Sequence, residues 1–413
     1  MRRLNELLAT ATIGICSLFA LSSPALAVEA NKQDDDHLQI KPIIDARSRY
    51  ETVDQGPLEA DALTLRLRAG AEAKLGNFSI LAEGEGTAAA VNDYNAFPFA
   101  IVDSQRRPEF ATISDPRNIE LNRLQVQYKS KALTVTAGRQ RINLDDQRWV
   151  GSVGWRQNEQ TFDAIRGEAA MGSVTLDATY AISQRTIFGE DAAPRTSIDG
   201  NFIFTGLGSK LGPIQGKLFA YLVDYDEAFA LPNSSQTYGG YVTGAVPLGK
   251  TTKITLRASY AHQSDYGRNP YDYAADYWSF EAGTNLAGFN INGGWEQLGS
   301  DDGRAVQTPM ATLHKFNGWA DIFLTAPPNG LEDGFVYVGR TFEGVKSLPG
   351  LNANIAFHQF DSARSNIEYG TEWDASAGFK LGKVSLLLKY ADYKAKAYGV
   401  DTRKLWLQAE YAF

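Results

Sequence analysis

Apolar and polar residues alternate along this chain over ten or more positions at a time. Within residues 63–75 every second residue is apolar, and the residues in between are polar, charged or glycine. A strand separates two such sets onto opposite faces, whereas a helix would mix them. The same alternation recurs in residues 174–182, 254–260 and 373–381. These segments exceed the usual strand of about five or six residues, which favours strands that cross a membrane.

The alternation predicts eighteen strands, and the connections between them alternate between tight turns, such as Gly76-Asn77 and Gly382, and long loops, such as 91–117 and 301–333. Short turns on one side and long loops on the other are typical of outer-membrane barrels. We therefore predict an all-β fold, a transmembrane antiparallel β-barrel of about 18 strands with both chain ends on the periplasmic side. The predicted strands are 39–53, 60–76, 77–90, 118–130, 132–143, 160–171, 173–186, 199–211, 214–227, 236–248, 251–264, 274–287, 288–300, 334–345, 350–362, 368–382, 383–397 and 401–413.

The last predicted strand places Leu405, Leu407, Ala409, Tyr411 and Phe413 on one face. A carboxy-terminal aromatic residue on the lipid face resembles the signal that delivers bacterial barrels to their assembly machinery, so we expect that machinery and outer-membrane lipid as partners. Aromatic residues near strand ends suit the girdles at the membrane interfaces, although some will lie in the lumen or in loops. They are Tyr50, Tyr128, Tyr221, Trp278, Trp295, Trp373, Tyr390 and Trp406.

The amino-terminal segment has the features of a secretory signal peptide. Arg2 and Arg3 precede a short apolar stretch at 13–21, and small residues follow at 25–27. We predict a cleaved signal at 1–27, a periplasmic leader at 28–38 and a barrel at 39–413, located in the outer membrane of a Gram-negative cell. The single cysteine, Cys16, lies in the signal, so the mature chain has none. No run of 18 apolar residues follows residue 27, which excludes helical membrane spans.

The charge and the histidines exclude several function classes. The chain carries 40 Lys and Arg against 48 Asp and Glu, a net charge of −8, which argues against nucleic acid as a partner. His37, His262, His314 and His358 lack metal-ligand spacing, and no HExxH, GxSxG or CxxC motif occurs. We therefore expect neither catalysis nor a metal or cofactor.

Arginines are concentrated in the first six predicted strands. On a lipid face an arginine costs about 2–4 kcal/mol at the bilayer midplane, so these residues are expected to face the lumen, where acidic residues lie among them. Two interpretations remain open: a salt-bridge lattice that stiffens the wall, and a cationic track that guides an anionic solute. The residues are Arg47, Arg49, Arg66, Arg68, Arg123, Arg139, Arg141 and Arg166.

Two loop segments carry further candidate chemistry. Residues 138–163 interleave four arginines with Trp149 and Trp155. Guanidinium groups bind carboxylates with paired hydrogen bonds, so this mixture suits an acidic glycan. Residues 308–330 contain apolar residues near helical spacing, from Leu313 to Leu324. We predict a short amphipathic helix there, which either plugs the lumen or packs over the rim.

The segments GRQRINLDDQRWVGSVGWRQNEQTFD and ATLHKFNGWADIF, together with the eighteen-strand layout, resemble the alginate export family of outer-membrane proteins over nearly the whole mature chain. The resemblance implies a monomeric barrel with an arginine-rich lumen through which a polyuronate leaves the cell. It also implies contact with a polyanion for Arg139, Arg141, Arg148 and Arg156. The residues implied as a gate in the long external loop are His314, Lys315, Trp319 and Asp321.

We therefore expect a passive outer-membrane channel for an anionic or polar polysaccharide or oligosaccharide, with an arginine-rich constriction. One alternative is a general or sugar-selective uptake porin, in which aromatic residues such as Tyr94, Phe97, Trp149 and Trp155 matter more than charge. A second alternative is a closed barrel with an adhesion or structural role. The direction of transport and the identity of the solute stay open.

Overall fold

The computed structural model describes residues 37–249 and 252–413. The predicted signal peptide, and all but the last two residues of the predicted leader, lie outside the described residues. Eighteen strands form one sheet in which each strand pairs antiparallel with its neighbours in the chain. The first strand pairs with both the second and the last, which closes the sheet into a barrel. No helix among the described residues is long and apolar enough to cross a membrane.

The barrel consists of β1–β13 and β16–β20, and a short hairpin of β14 and β15 lies in one loop. The strands are β1 Gln39–Gln55, β2 Leu58–Leu75, β3 Phe78–Asp93, β4 Asn118–Lys129, β5 Leu133–Gln140, β6 Thr161–Met171, β7 Val174–Arg185, β8 Ser197–Leu211, β9 Ile214–Tyr225, β10 Ser235–Leu248, β11 Thr252–Asp265, β12 Ala274–Leu286, β13 Phe289–Leu298, β14 Ser300–Asp301, β15 Arg304–Ala305, β16 Leu331–Thr341, β17 Asn352–Asp361, β18 Glu368–Leu381, β19 Val384–Ala395 and β20 Thr402–Ala412.

The predicted fold class is confirmed, and each of the eighteen predicted strands corresponds to one barrel strand. The tight turns occur where glycine was expected. Gly76 and Gly382 have φ angles of 57° and 60°, a left-handed conformation that glycine adopts without steric cost. The long loops all leave the opposite end of the barrel, which is extracellular in outer-membrane barrels.

The two faces of the wall differ as the alternation predicted. On β2, Leu65 and Leu67 are about half exposed, whereas Arg66 and Arg68 are buried. The exposed leucines face the lipid, and the arginines face the interior of the barrel. Because every wall strand has a partner on both sides, no backbone edge is left to hydrogen-bond in the bilayer.

The buried apolar side chains lie inside the lumen at the long-loop end. One cluster contains Trp319, Phe323 and Trp406, and a second contains Phe162 and Met310. Each cluster joins wall residues to loop residues that fold inward. Of the aromatic residues considered for the girdles, Trp278 and Trp373 are exposed on the outer face, whereas Tyr221 and Trp406 are buried in the lumen.

The prediction of an amphipathic helix within residues 308–330 is wrong. Only a single 3₁₀ turn forms, at Leu313–Lys315. Asn317, Gly318 and Asp321 have positive φ angles of 56°, 84° and 62°, which interrupt any right-handed helix. The backbone N–H group of Ala320 donates to Glu372 on the wall instead of to a carbonyl one turn earlier.

Candidate pore constriction

Two long loops enter the lumen and bind each other there. We call residues 141–160, between β5 and β6, the arginine loop, and residues 306–330, between β15 and β16, the plug loop. Val150 and Met310 form a parallel bridge between the two loops. The Gly151 N–H group donates to the Met310 carbonyl at 2.9 Å. The loops therefore form one connected structure across the interior of the barrel.

Two wall arginines hold the backbone of the arginine loop. Arg47 Nη1 donates to the carbonyl oxygens of Gly154, Trp155 and Arg156 at 3.1, 3.0 and 3.2 Å. Arg49 donates to the Trp155 carbonyl at 2.5 Å, and its guanidinium lies 4.0 Å from the centre of the Trp155 ring. A guanidinium has only donors, so converging carbonyl oxygens are suitable partners. Arg47 and Arg49 therefore anchor the loop to the wall.

A buried carboxylate, Glu159, anchors the end of the arginine loop. It binds Arg68 at 3.0 Å and Arg141 at 2.6 Å, and it accepts a hydrogen bond from Asn122 at 3.1 Å. Burial raises the pKa of Glu159, but Arg68 and Arg141 outweigh it and hold the pKa at about 2. The carboxylate therefore stays ionised at any physiological pH.

All ten arginines expected to line the pore are paired with a carboxylate, at N–O distances no longer than 3.6 Å. Such pairing leaves little net positive charge for a solute, and it is the geometry that a salt-bridge lattice requires. The pairs are Arg47–Glu410, Arg49–Asp115, Arg66–Asp45, Arg68–Glu85, Arg123–Glu83, Arg139–Asp163, Arg141–Glu159, Arg148–Glu296, Arg156–Asp321 and Arg166–Glu168.

Arg139 does not share the inward orientation expected for it. It pairs across the sheet with Leu124 on β4 and Asp163 on β6. Leu124 is exposed on the lipid side, as is Ile165, two residues beyond Asp163. Arg139 therefore lies on the outer face near the long-loop end, where it binds Asp163 through two hydrogen bonds of 2.8 Å. The expectation that Arg139 faces the lumen is therefore wrong, as its cross-strand partners show.

Asp321 joins both loops and the wall. Its carboxylate is bound by His314 Nδ1 at 2.7 Å within the plug loop, by Arg156 at 2.9 Å from the arginine loop and by Lys404 at 2.9 Å from β20. Burial raises the pKa of Asp321, but His314, Lys404 and Arg156 hold it well below its usual value. Asp321 is therefore a permanent negative charge at the point where the two loops meet.

Trp155, Trp319 and Trp406 surround His314 and Lys389. The Trp155 ring stacks on His314, and the Lys389 ammonium lies 4.2 Å from the centre of the Trp155 ring and 3.7 Å from that of Trp319. Lys389 Nζ is 2.6 Å from His314 Nε2, so that nitrogen accepts while Nδ1 donates to Asp321. Burial lowers the pKa of His314 well below its usual value despite Asp321, and Lys389 lowers it further. His314 is therefore neutral.

The remaining expected site residues also lie in the lumen. Lys315 donates to the Asp146 carbonyl at 2.8 Å. Arg148 binds Glu296 on β13 at 2.8 Å. Trp149 packs edge-on against Tyr277 with ring centroids 5.3 Å apart. The structure therefore brings the expected residues of the two loops together in the lumen, whereas Arg139 on β5 lies at the outer face.

A small cavity that is partly open to solvent lies beside the plug loop. Its far wall comes from β12, β13, β16 and β17, which contribute none of the site residues expected from the sequence. The alternation shows which residues of these strands face the lumen. It does not show which of those residues lie next to a loop. The lining residues are Asp146, Tyr277, Ser279, Glu281, Glu296, Lys315, Phe316, Asn317, Asp333, Phe335, Tyr337 and His358.

Within residues 37–249 and 252–413, no group of three His, Cys, Asp or Glu side chains is placed to hold a metal ion. Many acidic side chains of the lumen instead bind arginine, lysine or histidine, as Glu410, Asp321 and Asp333 do. The architecture and the occupied lumen define an outer-membrane β-barrel of the porin type. Residues 56–288, more than half of the 413-residue chain, match the alginate export family, and the protein belongs to that family.

Solved structures support the same architecture. OccAB4 from Acinetobacter baumannii is similar with a TM-score of 0.71 at 12% identity, over 91% of this chain and 98% of that one. OpdK from Pseudomonas aeruginosa has a TM-score of 0.70 at 12% identity with the same coverage, and a second OpdK structure, with vanillate, has a TM-score of 0.70 at 13% identity over 91% and 98%. At these identities the likeness establishes the fold. No curated protein sequence matches the chain.

Proposed function

We propose that the protein is a passive outer-membrane channel for a polar or anionic saccharide, with the arginine loop and the plug loop as its constriction. The observation that carries the proposal is the convergence of both loops in the lumen beside a cavity that is open to solvent. The two loops pack against each other inside the lumen and so narrow any path through the barrel. This packing favours a short saccharide over a polymer while the loops are in place.

The arginines act in this proposal mainly as anchors. Each lumen arginine of the expected set is already bound to a carboxylate, so a solute that sought them would have to compete with Glu or Asp. Membership of the alginate export family supports an acidic saccharide as the solute. The pairing of the lumen arginines with carboxylates supports a neutral saccharide. We therefore keep both solute classes in the proposal and let the measurement decide between them.

The test is transport by the purified protein in lipid bilayers. Liposome swelling with neutral sugars and uronates of increasing size should show uptake of mono- and disaccharides and exclusion of longer chains. Ion selectivity should change in Arg141→Ala, whose side chain binds Glu159 inside the lumen. Arg139→Ala, with the same change on the outer face, is the matched control and should behave as wild type. Absence of both swelling and current in the wild type would overturn the proposal.

A closed barrel with a structural role is the second candidate, and the dense packing of both loops favours it. Trp155, Trp319 and Trp406 fill the space between the loops and the wall. Removal of residues 306–330 distinguishes the two functions. A channel should gain conductance when the plug loop is removed, whereas a closed structural barrel should carry no current before or after the deletion.

A further inference from the structure

The tight-turn end of the barrel carries lysines on its inner face. Each lies within three residues of the end of its strand, and each is an even number of residues from a side chain that faces the lumen, as Lys74 is from Arg68 and Lys380 from Asp374. Because successive side chains of a strand point to opposite faces, these lysines share the lumen side. We call them the lysine ring: Lys41 on β1, Lys74 on β2, Lys129 on β4, Lys210 on β8, Lys253 on β11 and Lys380 on β18.

The ammonium groups of the lysine ring carry charge that the protein does not neutralise. Five of the side chains are exposed, and that of Lys380 is partly exposed. None of the six forms an ion pair within residues 37–249 and 252–413. Glu72 lies opposite Lys41 on the neighbouring strand and offsets one of the six charges. The other five lysines pair in the sheet with uncharged residues, namely Gln39, Ser79, Thr134, Gln215, Pro247 and Ser385.

Cations at the constriction and at the long-loop end differ from the lysine ring. Every arginine that was expected to line the pore is bound to a carboxylate. The free positive charge on the lumen wall is therefore concentrated at the tight-turn end, which is periplasmic in outer-membrane barrels. At the long-loop end, exposed cations are paired in Arg268–Asp226, Lys396–Glu368 and Arg403–Asp54.

We propose that the lysine ring is an electrostatic entrance that draws anions into the lumen from the periplasmic side and is the main source of the channel's ion selectivity. A mouth that is lined by one sign of charge, with low-dielectric walls, focuses the field and raises the local concentration of counter-ions. Lysine is a flexible point charge, so six lysines on separate strands attract an anion without a fixed geometry. The solute that fits is a short acidic oligosaccharide. The inference rests on the proposed channel function and chooses between its two solute classes.

The first experiment measures reversal potentials in a salt gradient for the reconstituted wild type and for Lys74→Gln/Lys210→Gln/Lys253→Gln. At about 0.1 M salt we expect the wild type to prefer chloride over potassium by about threefold, and the variant to show no preference. Glutamine keeps a polar side chain and removes the charge. At about 1 M salt the wild-type preference should vanish, because the screening length falls from about 10 Å to about 3 Å.

The matched control is Lys131→Gln/Lys346→Gln/Lys383→Gln. It removes the same amount of charge from exposed lysines at the same end of the barrel, but these lysines lie in the turns and not on the lumen-facing side of a strand. The control should retain the wild-type preference for chloride. Both variants should keep the heat-modifiable gel mobility of a folded barrel, because none of the substituted side chains is buried.

The second experiment compares block of the current by trigalacturonate and by maltotriose, which are trisaccharides with and without carboxylates. Each is present at the same concentration on both sides of the bilayer. In the wild type we expect trigalacturonate to block at concentrations about tenfold lower than maltotriose. Its block should be stronger at one voltage polarity, because the lysine ring lies at one end of the barrel. In the lysine-ring variant the two sugars should block within about twofold of each other.

The outcomes separate this inference from the channel function. A wild type without current overturns the channel itself. A conducting wild type that does not prefer chloride, or that is blocked equally by both trisaccharides, overturns the lysine ring alone. A lysine-ring variant that behaves as the wild type overturns the role of these lysines, and so does a control variant that loses the preference to the same extent.

Discussion

The Trp155 indole stacks on the His314 imidazole, with ring centroids 4.5 Å apart and ring planes 6° from parallel. Trp155 belongs to the arginine loop and His314 to the plug loop, so this contact joins the two segments that occupy the lumen. Trp406 of β20 meets both rings edge-on, at 5.8 Å from Trp155 and 5.7 Å from His314. The two loops and the wall therefore share one aromatic contact, and movement of the plug loop must break it.

We expect Asp321→Asn to increase the mean conductance. Asparagine keeps the size of the side chain but removes the charge that binds Arg156 and Lys404. Breaking a buried ion pair from one side costs about 3–5 kcal/mol, because the partner charge is left uncompensated. The cost falls on the closed arrangement of the loops, so open events should become more frequent in bilayer recordings.

The control for Asp321→Asn is Asp226→Asn, which removes an exposed carboxylate bound to Arg268 outside the lumen. It should leave the conductance unchanged. Both variants should retain the heat-modifiable gel mobility of a folded barrel, because the ring of strands is intact. Equal conductance in Asp321→Asn and the wild type would contradict the role of Asp321 in holding the loops.

A disulfide between the loops should lock the constriction. Val150 and Met310 are bridge partners, and the predicted mature chain contains no other cysteine, so Val150→Cys/Met310→Cys introduces the sole pair. We expect the oxidised protein to show fewer and smaller open events, with recovery after a reducing agent is added. Each single-cysteine variant serves as control and should be insensitive to reduction. Conduction that is unaffected by oxidation would show that the solute path does not need the loops to separate.

Acidification should weaken the contact between the loops through His314. Its pKa is well below the usual value in the closed arrangement, whereas a released, solvated histidine titrates near about 6.5. The stabilisation is therefore complete above about pH 6.5 and declines as the pH falls below it, because the released state gains a proton that the closed state does not bind.

Recordings between pH 7.5 and pH 4.5 test this dependence. Open events should become more frequent as the pH falls, and His314→Gln should flatten the response. Glu159 and Asp321 do not titrate in this interval, because the pKa of Glu159 is about 2 and that of Asp321 is well below its usual value. If His314→Gln responds to pH as the wild type does, the response comes from another titrating group and not from His314.

Arg47→Ala should release the arginine loop without unfolding the barrel. The change removes a donor from three carbonyl groups at once. The Trp155 carbonyl keeps Arg49, and each buried polar group left unsatisfied among the other two costs about 1–3 kcal/mol. We expect trypsin to cleave after Arg148 or Arg156 in the variant and to leave the wild type intact, as read by gel and mass spectrometry. Arg139→Ala is the control and should remain resistant. Resistance of Arg47→Ala would contradict its role as an anchor.

Local periodicity was sufficient to predict the wall of the barrel. Each strand separates its own apolar and polar residues, so the alternation in residues 63–75 carries the membrane-facing and lumen-facing sets without reference to the rest of the chain. The same alternation places Arg139 on the outer face, because Leu133, Val135 and Ala137 occupy every second position before it on β5. Its charge, taken alone, predicts that it faces the lumen, which is the opposite orientation.

The sequence by itself determined the eighteen strands, their faces and the residue types at the constriction. Only the tertiary structure decided where the loops lie and which charges they bind. Arg156 and Asp321 are 165 residues apart in the chain, and Arg47 and Glu410 are 363 apart. No local pattern specifies such pairs, because they exist only once the barrel has closed and both loops have entered it. The acidic net charge of the chain is consequently compatible with an arginine-rich lumen, since the pairing of the arginines, and not their number, sets the field along the pore.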